Sequence, residues 1–442
     1  MESLNDRLEQ YRNKNIIPMH MPGHKGNPAL VPQYYTDDIT EIEGFDNLHD
    51  PSGVLRKLEE DAARIWDAKE AVVSVNGATA PILSSVMAAS KRGKILVASN
   101  CHISVWHALE LSGVPFTVID PMTDPAFPFC LSIDPSEVAS ILENDPSIKT
   151  VLITSPTYEG VVSDIRAIYG ITQSHGALLI VDEAHGAHLG LNGFFPPTSV
   201  ADIVIKSIHK TLHAPTQTAL LLSYSEETDM HLIRHYMDIF ESSSPSYLLM
   251  SGVCRVVDDI TKNPGITEPW VKALTICREM LKDGLNHLSL FDYPSVDPSK
   301  IVILTGGVIS GIRLASILRE EGIETEAAFE THLIAMTGIG DTDATLIRLK
   351  DALLKIDLGL EGHVDLSFPS VITHEKAQYA LSIKDAVLSE CTTINANQSA
   401  GRISASYSFK YPPGIPVLIP GQVITEDLIP LIPYKMLKVV CG

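Results

Sequence analysis

The sequence predicts an α/β protein: a large domain on a mostly parallel sheet, followed by a small C-terminal α+β domain. Three observations predict it. Short apolar runs alternate with helix-period segments from residue 71 to about residue 223, as βαβ units require. Two of those runs, Ala177-Leu178-Leu179-Ile180-Val181 and Ala201-Asp202-Ile203-Val204-Ile205, are apolar enough to be buried on both faces. The chain of 442 residues exceeds what one small core needs, so a second domain is expected.

The first fifty residues read as irregular, because Pro18, Pro22, Gly23, Gly26, Pro28 and Pro32 break any periodicity. A helix is predicted from Gly53 to Trp66. Strand and helix then alternate: strand 71–75, helix 80–90, strand 94–98, helix 102–112, strand 116–119, helix 135–143, strand 150–154, helix 164–174 and strand 177–182. Thr218–Ser223 adds a strand. Helical patterning follows over 226–240 and from Ser246 to about Leu290, the latter as one long bridging helix. Beyond Lys300 come strand 301–305, helix 309–321, strands 325–329 and 332–337, and helix 343–355. The chain turns loop-like near 359–370 and ends in a helix over 377–388 and a Pro-rich segment, Tyr411 to Pro416. The expected organisation is an N-terminal arm (1–50), a large domain (51–290) and a small C-terminal domain (291–442).

Hydrophobic residues make up 45% and charged residues 20%, ordinary for a soluble globular chain. Lys and Arg number 33 against 54 Asp and Glu, a net charge of -21 that argues against nucleic acid and anionic membranes as partners. Six cysteines without CxxC spacing read as free thiols of a reducing compartment. The polar start, Met1 to Arg7, lacks the apolar core of a signal peptide, and no stretch approaches a membrane span. A cytoplasmic protein is expected.

The residues that carry chemistry sit where strands end. Asp182 closes one buried run, where open α/β sheets bind ligands, although a carboxylate there also serves as a plain turn residue. Lys210 follows another within Ser207-Ile208-His209-Lys210-Thr211-Leu212. A lone lysine is nearly always a solvated charge, but one set after a buried strand and flanked by hydroxyls and a histidine is not typical of that class. A lysine and a carboxylate delivered to one sheet edge suit a Schiff-base cofactor: the amine holds an aldehyde and the carboxylate keeps a pyridinium nitrogen protonated. Ala184 is small enough to lie against a ring face. His185 and His188, spaced for one helical turn, raise the alternative of a metal, but spacing supplies no further ligand and none is expected. Asn76-Gly77-Ala78-Thr79-Ala80 joins a strand to a helix and offers an anion site, without the lysine of a P-loop or the GxGxxG spacing. His102, after the next strand, is open between stacking on a flat ring and capping its helix.

Taken together, these residues resemble the pyridoxal-phosphate-dependent ornithine/lysine/arginine decarboxylases of bacterial, aminotransferase-like fold. The matches run in order along the chain: Met21-Pro22-Gly23-His24-Lys25-Gly26, Asp46-Asn47-Leu48-His49, Val75-Asn76-Gly77-Ala78-Thr79, Asn100-Cys101-His102, Pro156-Thr157-Tyr158-Glu159-Gly160, Asp182 to His188, Ser207 to Lys210, Thr216-Gln217, Ser244-Pro245-Ser246-Tyr247 and Tyr411 to Pro416. The resemblance implies a fold-type I large domain and pyridoxal 5'-phosphate as cofactor. It implies Lys210 as the aldehyde-holding amine, Asp182 on the pyridine nitrogen, Ala184 and His102 on opposite ring faces, and Thr157 and His185 near the reacting carbon. It implies Ala78, Thr79, Ser207 and His209 on the phosphate, with Ser244 reaching a second subunit's site in a homodimer. The activity implied is decarboxylation of lysine, arginine or ornithine to a diamine or agmatine. It also implies a short form without the N-terminal wing of longer members. Three positions depart from the pattern: Gln422 for glutamate, Ile103 for lysine and Asn47 for aspartate. Gln422 leaves the basic substrate open, and Glu326 and Glu330 are further candidates for its distal end. The rival readings are transamination or another reaction on the same cofactor, and a catalytically quiet binding or regulatory homologue.

Overall fold

The computed structural model describes residues 2–14, 17–25, 27–32, 35, 37–361, 377–410 and 415–441. The chain opens with α1 (Leu4–Asn13), α2 (Val54–Ile65), β1 (Glu70–Ser74), α3 (Thr79–Ala89), β2 (Lys94–Ala98), α4 (Ile103–Ser112), β3 (Phe116–Ile119), α5 (Pro135–Asn144), β4 (Ile148–Thr154), α6 (Ile165–Ser174) and β5 (Leu178–Asp182). It continues with β6 (Ile203–Lys206), α7 (Ile208–Thr211), β7 (Ala219–Ser223), α8 (Met230–Phe240), α9 (Tyr247–Lys262) and α10 (Glu268–Gly284). The large sheet is ordered β1-β7-β6-β5-β4-β2-β3 and is mostly parallel. β2 pairs in parallel with β3 and β4, whereas β7 runs antiparallel to both β1 and β6. β5, β6 and β7 are buried at every position, which is why their sequences are unbroken apolar runs rather than alternating ones.

The C-terminal part holds β8 (Ser289–Leu290), β9 (Lys300–Leu304), α11 (Gly311–Glu320), β10 (Ala327–Ala328), β11 (His332–Met336), α12 (Asp343–Asp357), α13 (Ile383–Leu388), β12 (Cys391–Asn395), β13 (Ser408–Lys410), β14 (Ile415–Leu418) and β15 (Met436–Val440). A four-stranded antiparallel sheet, β10-β11-β9-β8, and two small ribbons, β12-β15 and β13-β14, give this part its α+β character.

Chain contacts divide the molecule into two units: residues 1–84, 182–277 and 337–348, and residues 85–181, 278–336 and 349–442. The second unit contains a core of Phe129, Leu131, Tyr158, Val161, Phe291, Val302, Ala327 and Ile334. A separate cluster, including Val417, Leu418, Ile424, Leu437 and Val439, fills its end segment.

Four sequence expectations change. The irregular N-terminus contains α1, started by a capping box: Ser3 Oγ accepts from Asp6 N at 3.2 Å and Asp6 Oδ2 accepts from Ser3 N at 3.0 Å. The long bridging helix is two helices, because Asn263-Pro264-Gly265 interrupts it; proline lacks the N–H and glycine costs helix stability. The helix over 377–388 begins only after Ser382, whose Oγ caps Asp385 N at 3.1 Å, while Tyr379 bridges to Gln422 instead. Four strands between 391 and 440 lacked a recognisable pattern; β12 lies in a two-stranded ribbon and is largely exposed, so no burial imposes alternation on it. Most of the loop-like stretch 359–370, Gly26 and the Tyr411–Gly414 part of the Pro-rich segment lie outside the described residues.

None of the six cysteines is in a disulfide. Among the described residues no helix is long and apolar enough to cross a membrane.

Candidate active site

Lys210 sits in α7, a single turn set directly after β6. Three contacts of the first unit hold that turn. The Lys210 N–H donates to the Ser207 carbonyl at 3.3 Å, and the Thr211 carbonyl accepts from Ile339 N at 2.9 Å. His188 Nδ1 lies 3.1 Å from Thr211 Oγ1. Gly338 lets this crossing occur, since a Cβ there would stand 3.0 Å from the Thr211 carbonyl oxygen. Lys210 is half-buried, and its Nζ lies 3.0 Å from Nε2 of His185. An ammonium only donates, so Nε2 accepts and the ring's own hydrogen sits on Nδ1.

Asp182 ends β5 and is 3% exposed. Its Oδ1 accepts from Ala184 N at 3.1 Å, a turn that sends the chain away from the strand with the carboxylate left at the strand's end. Ala184 is buried beside it. His185 and His188 do not share a helical turn, because residues 183–190 form tight turns. His188 is fully buried against Phe195 and Trp270, with ring centroids 4.5 and 5.3 Å away. His185 turns to Lys210 instead. The two imidazoles therefore do different work, one in packing and one at the site.

The residues expected to bind an anion form a second cluster in the same unit. Gly77 has φ 64, a left-handed conformation that glycine adopts without strain, and its N–H donates to the Gln217 carbonyl at 2.8 Å. Ala78 and Thr79 follow at the start of α3, where free N–H groups and the helix dipole favour an anion. His209 Nδ1 lies 2.8 Å from the carbonyl of Thr218, the residue after Gln217. That carbonyl can only accept, so Nδ1 carries the hydrogen and Nε2 is the nitrogen left to face a ligand. Burial draws the His209 pKa below its ordinary value, with the charge of Lys210 acting in the same direction and the Thr218 carbonyl opposing. Ser207 is buried at the N-cap of α7, and its side chain makes no capping bond.

Ser244 is exposed in the loop between α8 and α9, where its N–H donates to Ser242 Oγ at 3.3 Å. His49 braces that loop, with Nδ1 3.0 Å from Asp238 Oδ1 and Nε2 2.9 Å from the Ser242 carbonyl. Asn47, the departure in this motif, caps locally by accepting from His49 N at 3.0 Å.

His102 and Thr157 belong to the second unit. His102 is the N-cap of α4; its Nδ1 accepts from Ser104 N at 3.2 Å. Capping engages the ring through its Nδ1 edge, so capping and ring stacking are geometrically compatible. Thr157 is buried, and its Oγ1 accepts from Val161 N at 3.1 Å. Beside it, Tyr158 donates to Glu326 Oε1 at 2.9 Å. Glu326 and Glu330 are both exposed, with Glu326 engaged by the tyrosine. Gln422 is buried and accepts from Ile419 N at 3.2 Å through Oε1, so the glutamine closes its own turn.

The residues of the first unit fit pyridoxal 5'-phosphate by the chemistry of their donors. One amine would meet the aldehyde, one carboxylate the pyridinium, and a helix start with Thr79, Ser207 and His209 the phosphate. Two residues outside the expected set also belong to this neighbourhood, Glu183 and Lys206. A lysine ending the apolar strand Ile203-Val204-Ile205 was the available signal, because charges are rarely fully buried unless paired.

Comparisons with known proteins identify the family. The model of the Orn/Lys/Arg decarboxylase major domain matches residues 3–293, and that of the C-terminal domain matches residues 366–440. The chain belongs to the Orn/Lys/Arg decarboxylase family. This decarboxylase is 30% identical to the uncharacterized protein YaaO of Bacillus subtilis over 95% of its own length and 91% of the relative's. It is 28% identical to the arginine decarboxylase of the same organism, covering 95% and 90% of the two chains. The crystal structure of the Francisella novicida lysine decarboxylase LdcF shares its fold, with a TM-score of 0.83 and 18% identity over 99% of this chain and 81% of that one.

Proposed function

We propose that this decarboxylase uses pyridoxal 5'-phosphate to remove the α-carboxylate of a basic amino acid, releasing carbon dioxide and a diamine or agmatine. The observation that carries the reading is the 3.0 Å contact between Lys210 Nζ and His185 Nε2, three residues past the Asp182 carboxylate. The bound cofactor supplies an electron sink for the charge left when the carboxylate departs.

The chain's own residues do the rest. Lys210 would hold the aldehyde end of the cofactor. The Asp182 carboxylate, buried and fixed by its turn, keeps the ring nitrogen protonated. Ala184 gives the ring a flat floor, and His102 is assigned to the opposite face. His185 Nε2 exchanges a proton with Lys210 Nζ and, with Thr157, lines the region of the reacting carbon. Ala78, Thr79, Ser207 and His209 bind the phosphate, joined by Ser244 of a second copy in a cytoplasmic homodimer. The name of the Bacillus subtilis arginine decarboxylase supports arginine as the first substrate to try.

The test is a panel of arginine, lysine and ornithine with the purified protein and added cofactor, measuring carbon dioxide and amine. Release of equal amounts of both from one of the three supports the reading. A keto acid, or no product from any, would overturn it.

A further inference from the structure

A buried ion pair underlies the turn that carries Asp182 and His185. Lys206 Nζ lies 2.8 Å from Glu183 Oε2, and both side chains are fully buried. The same ammonium donates to the Gly186 carbonyl at 3.0 Å, and Thr198 Oγ1 donates to Glu183 Oε2 at 3.2 Å. The backbone repeats the clamp: Glu183 N donates to the Ile205 carbonyl at 2.9 Å, and Gly186 N to the Glu183 carbonyl at 2.8 Å. One lysine thus grips both ends of the four-residue segment 183–186, and His185 lies inside it. Space is equally tight, since a Cβ on Gly186 would stand 2.7 Å from both Glu183 Cγ and Leu189 Cδ1. The Trp66 ring covers the ammonium, its centroid 5.6 Å from Nζ.

An ion pair of this kind gives weak net stability, because desolvating two charges offsets most of their attraction. An apolar pair of similar volume would pack as well. It would not bond the Gly186 carbonyl. What the charged pair adds is geometric, and the group whose geometry it sets is the imidazole facing Lys210.

We propose that Lys206, charge-paired by Glu183, is a positioning residue, which fixes segment 183–186 so that His185 Nε2 meets Lys210 Nζ. The inference rests on the reading of Lys210 and His185 as working partners. Lys206 touches neither substrate nor cofactor in this role; it acts through His185.

The test compares wild type, His185→Ala, the paired variant Glu183→Gln with Lys206→Met, and the triple combination. The paired variant removes both charges together, so neither is left buried and uncompensated. The full-length chain is freed of bound cofactor, and acylation of Lys210 is followed against pH by mass spectrometry, alongside thermal melting. This readout needs no turnover, so it stands apart from the substrate panel, whose failure would strike the decarboxylase reading instead. The expected result is a Lys210 profile in the paired variant displaced from wild type and matching His185→Ala, with no further displacement in the triple variant. With substrate, kcat should fall about 10- to 100-fold, the cost of a small misplacement at a reacting group. Glu183→Gln alone keeps Lys206 and its bond to Gly186, and should keep the wild-type profile even if the paired variant folds poorly. A folded paired variant with the wild-type profile would overturn the proposal. So would a His185→Ala effect that simply adds to that of the pair, or a single Glu183→Gln variant displaced as far as His185→Ala.

Discussion

Lys210 Nζ and His185 Nε2 stand 3.0 Å apart, each delivered by a turn that directly follows a fully buried strand. A hydrogen-bond partner of the amine is therefore a titratable one. Lys210→Ala should leave the protein unable to hold cofactor covalently, read as loss of its visible absorption band. His185→Ala should keep the band and lower kcat about 10²- to 10⁴-fold, the usual worth of a positioned proton-transfer group. Cofactor that borohydride still fixes covalently to Lys210→Ala, through another lysine, would remove the central residue of the mechanism.

Asp182→Asn keeps the shape of the turn and removes the charge. A hydrogen bond to a charged group contributes about 1.5–3 kcal/mol, so kcat should fall about 10- to 150-fold. The measurement is steady-state kinetics at saturating cofactor. An unchanged kcat would show that Asp182 only closes its turn.

Cofactor affinity should depend on pH through His209. Its Nδ1 hydrogen is committed to Thr218, so Nε2 can donate to a phosphate only when the ring holds a second proton. Burial lowers the pKa of the free protein, with the Lys210 charge assisting; the phosphate must therefore bring the proton in with it. Binding weakens as pH rises above the free-protein pKa, by up to about tenfold per pH unit. Fluorescence titration with pyridoxal 5'-phosphate should show this slope, and His209→Asn should flatten it. Pyridoxal without phosphate is the control, and an equal slope for it would refute the assignment.

His102 separates its two roles by substitution. His102→Asn preserves an N-cap for α4 and removes the aromatic ring, so melting should stay near wild type while kcat falls. His102→Ala loses both and should cost about 0.5–2 kcal/mol of stability as well. Calorimetry with kinetics tells them apart; full activity in the Asn variant would leave capping as the whole role.

The second unit carries an opposed pair of buried titrations. Burial raises the Glu159 pKa to about 7 and lowers that of His332 to about 4, from ordinary values of 4.5 and 6.5. The two side chains are 3.9 Å apart, beyond hydrogen-bond distance. Between pH 4.5 and 6.5 the folded chain holds a proton on Glu159 that the unfolded chain has released, so this group makes stability fall with rising pH. Over the same range the unfolded chain holds a proton on His332 that the folded chain lacks, so this group makes stability rise with pH. The two slopes cancel in wild type. His332→Phe should expose the fall, about 3 kcal/mol across the window, and Glu159→Gln should expose the rise. Urea denaturation at a series of pH values reads both, and parallel profiles in the two variants would contradict the assignment.

Much of this architecture is legible in the chain because burial writes itself as composition. Leu178–Asp182 and Ile203–Lys206 are covered on both faces, and their apolar runs announce both the strands and the edge where Lys210 and Asp182 emerge. What escaped lacked that imprint. The first helix depends on one serine and one aspartate, and the ribbon strand Cys391–Asn395 is mostly exposed. At the candidate site, residue types and strand ends pointed to Asp182 and Lys210. The partition of the two histidines, one to Trp270 and one to Lys210, depended on turns that no periodicity encodes. Nor does spacing disclose that Lys206 bridges Glu183 and Gly186, since those contacts join segments twenty residues apart.

Gln217 and Thr218 present consecutive carbonyls, the first to Gly77 and the second to His209. A single peptide strap therefore carries both halves of the proposed anion cradle, and neither half can drift without dragging the other. Engineering this region calls for transplanting the strap together with both of its clients; swapping one alone would leave the other misaligned.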